Sequence, residues 1–259
     1  VVQVMEANGS LQSLGHNLGQ QNYDGPVVIL VDKLSASASE ILAGVIQDYD
    51  RGLVIGSQTF GKGTVQRMIE LSHGHLKFTE QKYYRVSGES TQNKGVEPDI
   101  TIPLVFNDEE IGERSYENSL PYNHIDPIFY RSFNKVENVD LLKTFSSNRT
   151  NSNEMSVYIS SQQDFYENEK NNNVVPINLE KRKSMKFARE AKILHMENKF
   201  RKSLNLDLFV TYDEFVNSDP EEISELREEI VLKEAAEILV DSLQFSETPS
   251  RISFGIMSQ

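Results

Sequence analysis

The sequence predicts an α/β fold in its first part and a mainly helical arrangement in the rest. Residues 27–31, Val-Val-Ile-Leu-Val, and residues 53–56, Leu-Val-Ile-Gly, are apolar runs typical of buried strands. Between them, apolar side chains recur at helical spacing from Ile41 to Tyr49. Two strands joined through a helix by short connections predict a βαβ unit, and therefore a parallel sheet.

The next segments add strands to this core. The unbroken β-branched run at residues 27–31 predicts a strand that is buried on both faces. Alternating polar and apolar residues over 64–86 predict antiparallel strands, and residues 93–103 predict a turn followed by a closing strand. The predicted core therefore combines the βαβ unit with antiparallel strands.

A change of character near residue 105 predicts a domain boundary. The chain becomes acidic and then irregular there, so we assign residues 1–105 to the first domain and residues 106–259 to the second.

The second domain is predicted to be mainly helical. Residues 179–204 and residues 220–244 are rich in charge and have helical periodicity. Two polar stretches of low complexity, residues 146–154 and residues 167–173, are predicted as loops between the helices.

Composition limits the classes of function. The chain has 259 residues, a net charge of −13 and no cysteine. The negative charge argues against a nucleic-acid partner, and the missing cysteines exclude disulfides and thiolate chemistry. The five histidines form no HExxH or comparable pattern, so we predict neither a metal site nor a cofactor.

The chain offers no targeting signal and no membrane span. No run approaches the roughly 18 apolar residues of a transmembrane helix, and the first ten residues lack a basic and an apolar signal region. Since the chain does not begin with Met, we expect it to be a piece of a longer protein. The missing signal region then says little about the cellular location of that protein.

Three serines stand where the first strand gives way to the helix, in the stretch Lys-Leu-Ser-Ala-Ser-Ala-Ser-Glu at residues 33–40. Ser37 and Glu40 have the spacing of a capping box, with Ser37 as N-cap and Glu40 at the third helical position. Taken alone, this pattern favours a structural role for the serines, because such boxes are common helix starts.

Lys62 follows the second strand and lies between two glycines in the sequence Phe-Gly-Lys-Gly. It can be a surface loop residue, a phosphate ligand or a general base. The spacing GxxxxGK[ST] of a phosphate-binding loop is absent. Because groups at the carboxyl ends of neighbouring parallel strands collect at one edge of the sheet, Lys62 and the serines are expected to lie close together.

A serine and a lysine at that edge suggest nucleophilic catalysis. Desolvation lowers the pKa of a lysine, and a neutral amine beside a serine can accept its hydroxyl proton. The serine would stand at a helix start, where the N–H group of Ala38 can stabilise the oxyanion of acyl transfer. On residue chemistry alone, the capping function and the Ser-Lys hydrolase both remain open.

The stretch Ser-Ala-Ser-Ala-Ser-Glu-Ile-Leu-Ala-Gly through Phe-Gly-Lys-Gly-Thr-Val-Gln, residues 35–66, resembles the catalytic core of the carboxyl-terminal processing peptidases. Residues 82–100 resemble the tail-specific protease type of that family, and residues 118–130 resemble the start of its helical C-terminal domain. The resemblance implies a partial ClpP/crotonase-like protease core followed by that helical domain.

The resemblance also implies roles for particular residues. Ser37 matches the nucleophile, Lys62 the general base and Gln66 the glutamine that positions the lysine. Asp48 matches an acidic position implicated in some members, although a solvated helix terminus is at least an equal interpretation. Ser35 and Ser39 match no catalytic position.

The implied function is a serine endopeptidase that cleaves protein substrates near their C-termini. The second oxyanion donor and the PDZ domain of the family precede the region where this chain begins, so we expect weak or no activity from this stretch alone. The resemblance implies a periplasmic or envelope location in a Gram-negative cell and partners that are proteins or peptides with accessible C-termini. The helical domain could brace the protease, gate it or recruit an adaptor.

Two other functions stay open at this stage. The chain can be a non-catalytic interaction module that keeps the protease fold, or a crotonase-like protein acting on acyl-thioesters. The second alternative needs no lysine at position 62.

Overall fold

The structure is a computed structural model that describes residues 2–15, 23–102, 110–133, 135–151, 153–172 and 174–246. Its strands are β1 (Val2–Glu6), β2 (Leu11–Leu14), β3 (Val28–Val31), β4 (Leu53–Gly56), β5 (Thr64–Glu70), β6 (His75–Tyr84) and β7 (Ile100–Thr101). Its α-helices are α1 (Ala38–Asp48), α2 (Val139–Asn151), α3 (Glu154–Asn171), α4 (Leu179–Ser203), α5 (Tyr212–Val216) and α6 (Pro220–Ser246). The predicted α/β fold with a helical C-terminal part is confirmed.

The βαβ unit is present as predicted. Strand β3 pairs in parallel with β4, α1 connects them, and β4 pairs in parallel with the short closing strand β7. The sheet order is β3-β4-β7. The carboxyl ends of β3 and β4 therefore lie side by side, and the segments that follow them, which contain Ser37 and Lys62, leave the sheet from the same edge.

The prediction that the first strand is buried on both faces is wrong. Val28 and Ile29 of β3 are only partly buried and Leu30 is 39% exposed. The reason is position, because β3 is an edge strand of the parallel sheet, whereas β4 lies in its centre and is buried throughout.

Strand β4 places alternate side chains into two apolar clusters. Leu53 and Ile55 belong to a cluster that includes Leu142 of α2 and Ile238 of α6. Val54, on the opposite face, packs in a cluster with residues of α1. Helices thus cover both faces of the parallel sheet, which holds β4 and the loop that follows it in a defined position.

A second sheet is antiparallel and has the order β2-β1-β6-β5. The predicted antiparallel pair over residues 64–86 is confirmed as β5 and β6. Strands β1 and β2 at the start of the chain were not predicted. Val2, Val4 and Tyr83 of this sheet pack with Ile41 of α1, so α1 contacts both sheets.

The C-terminal part is helical, including much of the two stretches predicted as loops. Most of residues 146–154 lies in α2 or at the start of α3, and residues 167–171 form the last turn of α3. Polar composition is compatible with a solvated helix face, which explains why the loop prediction was wrong there.

The chain divides into two compact units, Val1–Thr144 with Ala235–Gln259, and Phe145–Glu234. In the second unit, Tyr158 of α3 stacks on Phe200 of α4 with ring centroids 4.4 Å apart, and Tyr158 also hydrogen-bonds to the buried carboxylate of Glu197. The predicted domain boundary at residue 105 falls within residues 103–109, outside the described part of the chain, and stays a prediction.

Within the described residues, no helix combines the length and the apolarity that crossing a membrane requires.

Candidate active site

Ser37 is the N-cap of α1 and has an unusual backbone conformation. Its φ is 56° and its ψ is −109°, a region that residues with a side chain rarely occupy. Such strain persists only where surrounding contacts hold it, and it collects at functional sites. Of the predicted capping box, the half made by Glu40 is present, since Glu40 Oε2 accepts a hydrogen bond from the Ser37 N–H at 2.8 Å, while the Glu40 N–H donates to the Ser37 carbonyl oxygen at 3.0 Å.

The three serines of the stretch have different environments. Ser35 closes the turn after β3, since its Oγ donates to Asp32 Oδ1 at 3.0 Å and accepts from the Asp32 N–H at 3.1 Å. Ser39 lies on the exposed side of α1. Among the three serines, Ser37 alone combines partial burial with a left-handed φ.

Glu40 is more than a capping residue, because it is fully buried and each carboxylate oxygen accepts two hydrogen bonds. Oε2 accepts from the backbone N–H groups of Ser37 and Lys62, both at 2.8 Å. Oε1 accepts from Thr59 Oγ1 at 2.5 Å and from the Gly61 N–H at 2.7 Å. One oxygen therefore bridges the backbone nitrogens of Ser37 and Lys62, which are 25 positions apart in the sequence.

Tyr83 of β6 makes a second bridge between the same two residues. Its hydroxyl lies 3.1 Å from the carbonyl oxygen of Ser37 and also makes a short hydrogen bond to the carbonyl oxygen of Lys62. Thr91 Oγ1 donates to the Tyr83 hydroxyl at 2.9 Å. Burial raises the pKa of the Tyr83 hydroxyl, so this group keeps its single proton, which the two carbonyl oxygens share.

Lys62 directs its amine towards Gln66. Lys62 Nζ donates to Gln66 Oε1 at 3.1 Å, and Lys62 itself is only partly buried. Gly61, immediately before the lysine, has φ 94° and lies against the backbone of Asn93, a conformation and a distance that favour glycine. The partial exposure of Lys62 means that the dehydration required of a lysine base is incomplete in this structure.

A cleft of about 680 Å³ opens beside Lys62. Lys62, Gln66 and residues of β5 and β6 form one side of it, and residues 113–120 contribute the other. A larger groove of about 1400 Å³ lies at the opposite, amino-terminal ends of β3 and β4, between segments that include residues 24–27 and 50–53. Lys62 lines the smaller cleft, whereas Ser37 is not among its lining residues. Because Lys62 follows the carboxyl end of β4, the smaller cleft is the candidate substrate site.

Ala38 is the first residue of α1 and is exposed. The N–H groups of the first helical turn have no acceptor within their own helix. The N–H of Ala38 lies next to Ser37 in the chain, and its donation to an oxyanion stays a prediction.

Asp48, the accessory candidate, lies at the other end of the 11-residue helix α1 from Ser37. Its carboxylate accepts from Arg85 Nη2 at 2.6 Å and from Arg85 Nε at 3.0 and 3.1 Å. Both side chains are largely buried, at 6% and 14% exposure. This pair joins α1 to the antiparallel sheet, and the geometry favours a structural contribution of Asp48 over contact with a substrate.

The structure thus brings the backbones of Ser37 and Lys62 together, pairs Lys62 with Gln66, and leaves Asp48 at a distance along α1. Sequence reasoning missed the bridging function of Glu40 and the contributions of Tyr83 and Thr59. The capping box gave a signal for Glu40, but nothing in the local pattern showed that one carboxylate serves both loops.

We expect Glu40→Ala to lower the free energy of unfolding by about 3–5 kcal/mol, because two buried and two partly buried donors lose their acceptor. Urea unfolding of the complete gene product, followed by circular dichroism, measures this, with the exposed Glu97→Ala as the matched control. Equal midpoints for the two variants would show that the bridge carries little stability.

The carboxyl group of Glu40 also predicts that the stability of the fold depends on pH. Burial raises the pKa of Glu40 above its ordinary value of 4.5, while the hydrogen bonds from Thr59 and from the three N–H groups oppose that shift. A raised pKa gives a contribution to stability that is present below pH 4.5 and lost as the pH rises through the folded-state value. The Glu40→Gln variant should lack this pH-dependent contribution to the free energy of unfolding.

In the described part of the chain, no group of three or more histidine, aspartate or glutamate side chains is arranged to hold a metal ion. The fold and the site define an α/β protein with a candidate Ser-Lys site at the edge of a βαβ unit.

Two family profiles match consecutive parts of the chain. The profile of peptidase family S41 matches residues 1–102, and the profile described as the C-terminal domain of tail specific protease (DUF3340) matches residues 106–244. The chain belongs to the family of proteins that carry the C-terminal domain of tail specific protease, and its first 102 residues are similar to peptidase family S41.

Individual relatives carry corresponding names. The tail-specific protease of Haemophilus influenzae is 39% identical over 54% of this chain and 21% of its own length. The carboxy-terminal-processing protease of Bartonella bacilliformis is 46% identical over 33% of this chain and 20% of its own length. A probable CtpA-like serine protease of Staphylococcus epidermidis is 46% identical over 32% of this chain and 17% of its own length.

Among solved structures, the photosystem II D1 C-terminal processing protease is 36% identical to this chain. The alignment covers 39% of this chain and 26% of the protease chain, with a TM-score of 0.33. The chain spans about a fifth of the length of the curated relatives that it matches.

Proposed function

We propose that the chain forms part of a serine endopeptidase that cleaves proteins near their C-termini through an acyl-enzyme. Ser37 is the nucleophile, Lys62 the general base, Gln66 the residue that positions Lys62, and the N–H of Ala38 an oxyanion donor. The observation that supports this most strongly is the double bridge: Glu40 and Tyr83 each hydrogen-bond to the backbones of both Ser37 and Lys62.

The proposed chemistry follows from the two side chains. Neutral Lys62 Nζ takes the hydroxyl proton as Ser37 Oγ bonds to the carbonyl carbon of the scissile peptide, and the N–H of Ala38 donates to the oxyanion that forms. The peptide C–N bond then breaks, and the lysine ammonium returns the proton to the leaving amine. Water, activated by the same amine, hydrolyses the ester and restores the serine.

Substrate binding completes the dehydration of Lys62 in this mechanism. The amine lines an open cleft and is only partly buried. A peptide lying in the cleft displaces water from Nζ and favours the neutral amine.

The proposed setting is the bacterial cell envelope, including the periplasm where one exists. Relatives from Haemophilus, Bartonella and Staphylococcus include Gram-positive bacteria, so the comparisons give no support for a restriction to Gram-negative cells. The proposed partners are protein substrates with accessible C-termini, and the stretch by itself is proposed to have weak activity or none.

The function is tested by incubating the complete gene product with an unfolded protein and measuring intact masses of the products. We expect C-terminal fragments to be removed, at a rate that a metal chelator leaves unchanged. Binding of the unfolded protein without cleavage would contradict the proposal and favour the interaction module.

A further inference from the structure

Lys62 is flanked by two glycines, and residues 92 and 93 lie against both of them. The Asn93 N–H donates to the Gly61 carbonyl oxygen at 2.8 Å, and the Gly63 N–H donates to Gln92 Oε1 at 2.9 Å. A Cβ on Gly63 would lie 2.7 Å from the backbone nitrogen of Gln92, so only glycine fits there. The loop that carries Lys62 is therefore held on both sides of the lysine by residues 92 and 93.

Gln92 is fully buried, and its side-chain amide also reaches the other side of the candidate cleft. Gln92 Nε2 donates to the carbonyl oxygen of Leu120 at 3.0 Å and to Glu113 Oε1 at 3.3 Å. The same carbonyl oxygen of Leu120 accepts from Asn93 Nδ2 at 3.0 Å. One buried amide thus joins the Lys62 loop to both ends of the segment 113–120.

The segment 113–120, which we call the far wall, lines the cleft on the side opposite Lys62. Between its two ends, residues 114–118 are exposed, and Tyr116 and Glu117 are among the residues that line the cleft. A substrate in this cleft would contact the far wall on one side and Lys62 on the other. The separation of these two surfaces therefore depends on the hydrogen bonds of Gln92.

We propose that Gln92 is a positioning residue, which holds the far wall and the Lys62 loop at a fixed separation so that a peptide bound against the far wall is presented to Lys62. This inference rests on the proposed function, because it concerns how the same cleft binds its substrate. Gln92 acts through Gly63, Glu113 and Leu120 and forms no bond to the substrate.

The test measures kcat and KM of the complete gene product with two substrates. A long unstructured peptide reaches the far wall, whereas acetyl-alanine p-nitrophenyl ester offers little beyond the reacting group. We expect Gln92→Leu, which has a similar size and no polar atoms, to lower kcat for both substrates and to raise KM about tenfold for the peptide alone. Gln12→Leu, at an exposed position of β2, is the matched control and should behave as wild type.

Two variants of Glu113 keep the test decisive if Gln92→Leu fails to fold, because Glu113 is only partly buried. Glu113→Leu removes one bond to the far wall and leaves the bond to Gly63, so KM for the peptide should rise about threefold while kcat stays close to that of the wild type. Glu113→Gln keeps an acceptor oxygen for Gln92 Nε2 and should raise KM much less.

The pattern across the two substrates separates positioning from a general loss of structure. An unchanged KM for the peptide in Gln92→Leu and Glu113→Leu, or an equal rise of KM for the ester, would overturn the inference. If Ser37→Ala and Lys62→Met keep full activity, it is the proposed function that fails. If those two variants are inactive and Gln92→Leu behaves as wild type, the inference about Gln92 alone is wrong.

Discussion

Replacing Ser37 by alanine is expected to abolish proteolysis by the complete gene product, with kcat falling by roughly 10⁵-fold or more. The reason is that covalent catalysis ends when the nucleophile is removed, while binding and the oxyanion donors leave only a small residual rate. Cleavage of an unfolded protein, followed by intact mass, measures this effect.

The chain itself offers the control for that experiment. Ser39 lies two residues away on the exposed side of α1, outside the double bridge. The Ser39→Ala variant also loses a serine hydroxyl, and its rate of cleavage should equal that of the wild type. If Ser37→Ala cleaved as fast as Ser39→Ala, Ser37 would be a helix cap and the chain a non-catalytic module.

Replacing Lys62 by methionine should lower kcat by about 10³-fold, because a positioned general base contributes in that range. Methionine has a similar length but neither a charge nor a basic nitrogen. Lys62→Arg keeps the charge and cannot give up its proton, so it should be equally inactive. The exposed Lys94→Met is the control.

The two lysine variants together decide what the side chain does. Activity in Lys62→Arg alone would mean that a positive charge is sufficient and that no proton is transferred to Lys62. Activity in both variants would favour the crotonase-like alternative, in which backbone donors carry the chemistry.

Sequence patterns predicted the βαβ unit well because its signals are local. Apolar runs, helical spacing and a capping box each lie within a dozen residues, and they place Ser37 and Lys62 at one edge of the sheet. Burial of β3 was not predictable in the same way, since its position at the sheet edge depends on how β7 pairs with β4.

Contacts between distant segments account for most of what the sequence did not reveal. Glu40 bonds to residues 59–62 and Tyr83 bonds to both Ser37 and Lys62, and no spacing rule relates these positions. The sequence also does not reveal where two backbone segments approach closely. A Cβ on Gly52 would lie 2.2 Å from the carbonyl oxygen of Val27, although the sequence predicts only a turn at Gly52.

The pH dependence of kcat/KM for the wild-type protein, measured with a peptide substrate between about pH 6 and 10, tests most directly whether Lys62 is the base. We predict a rate that rises with pH as the ammonium loses its proton. A flat profile over that range would contradict the account, because no proton acceptor of the lysine type would then be titrating in the free enzyme.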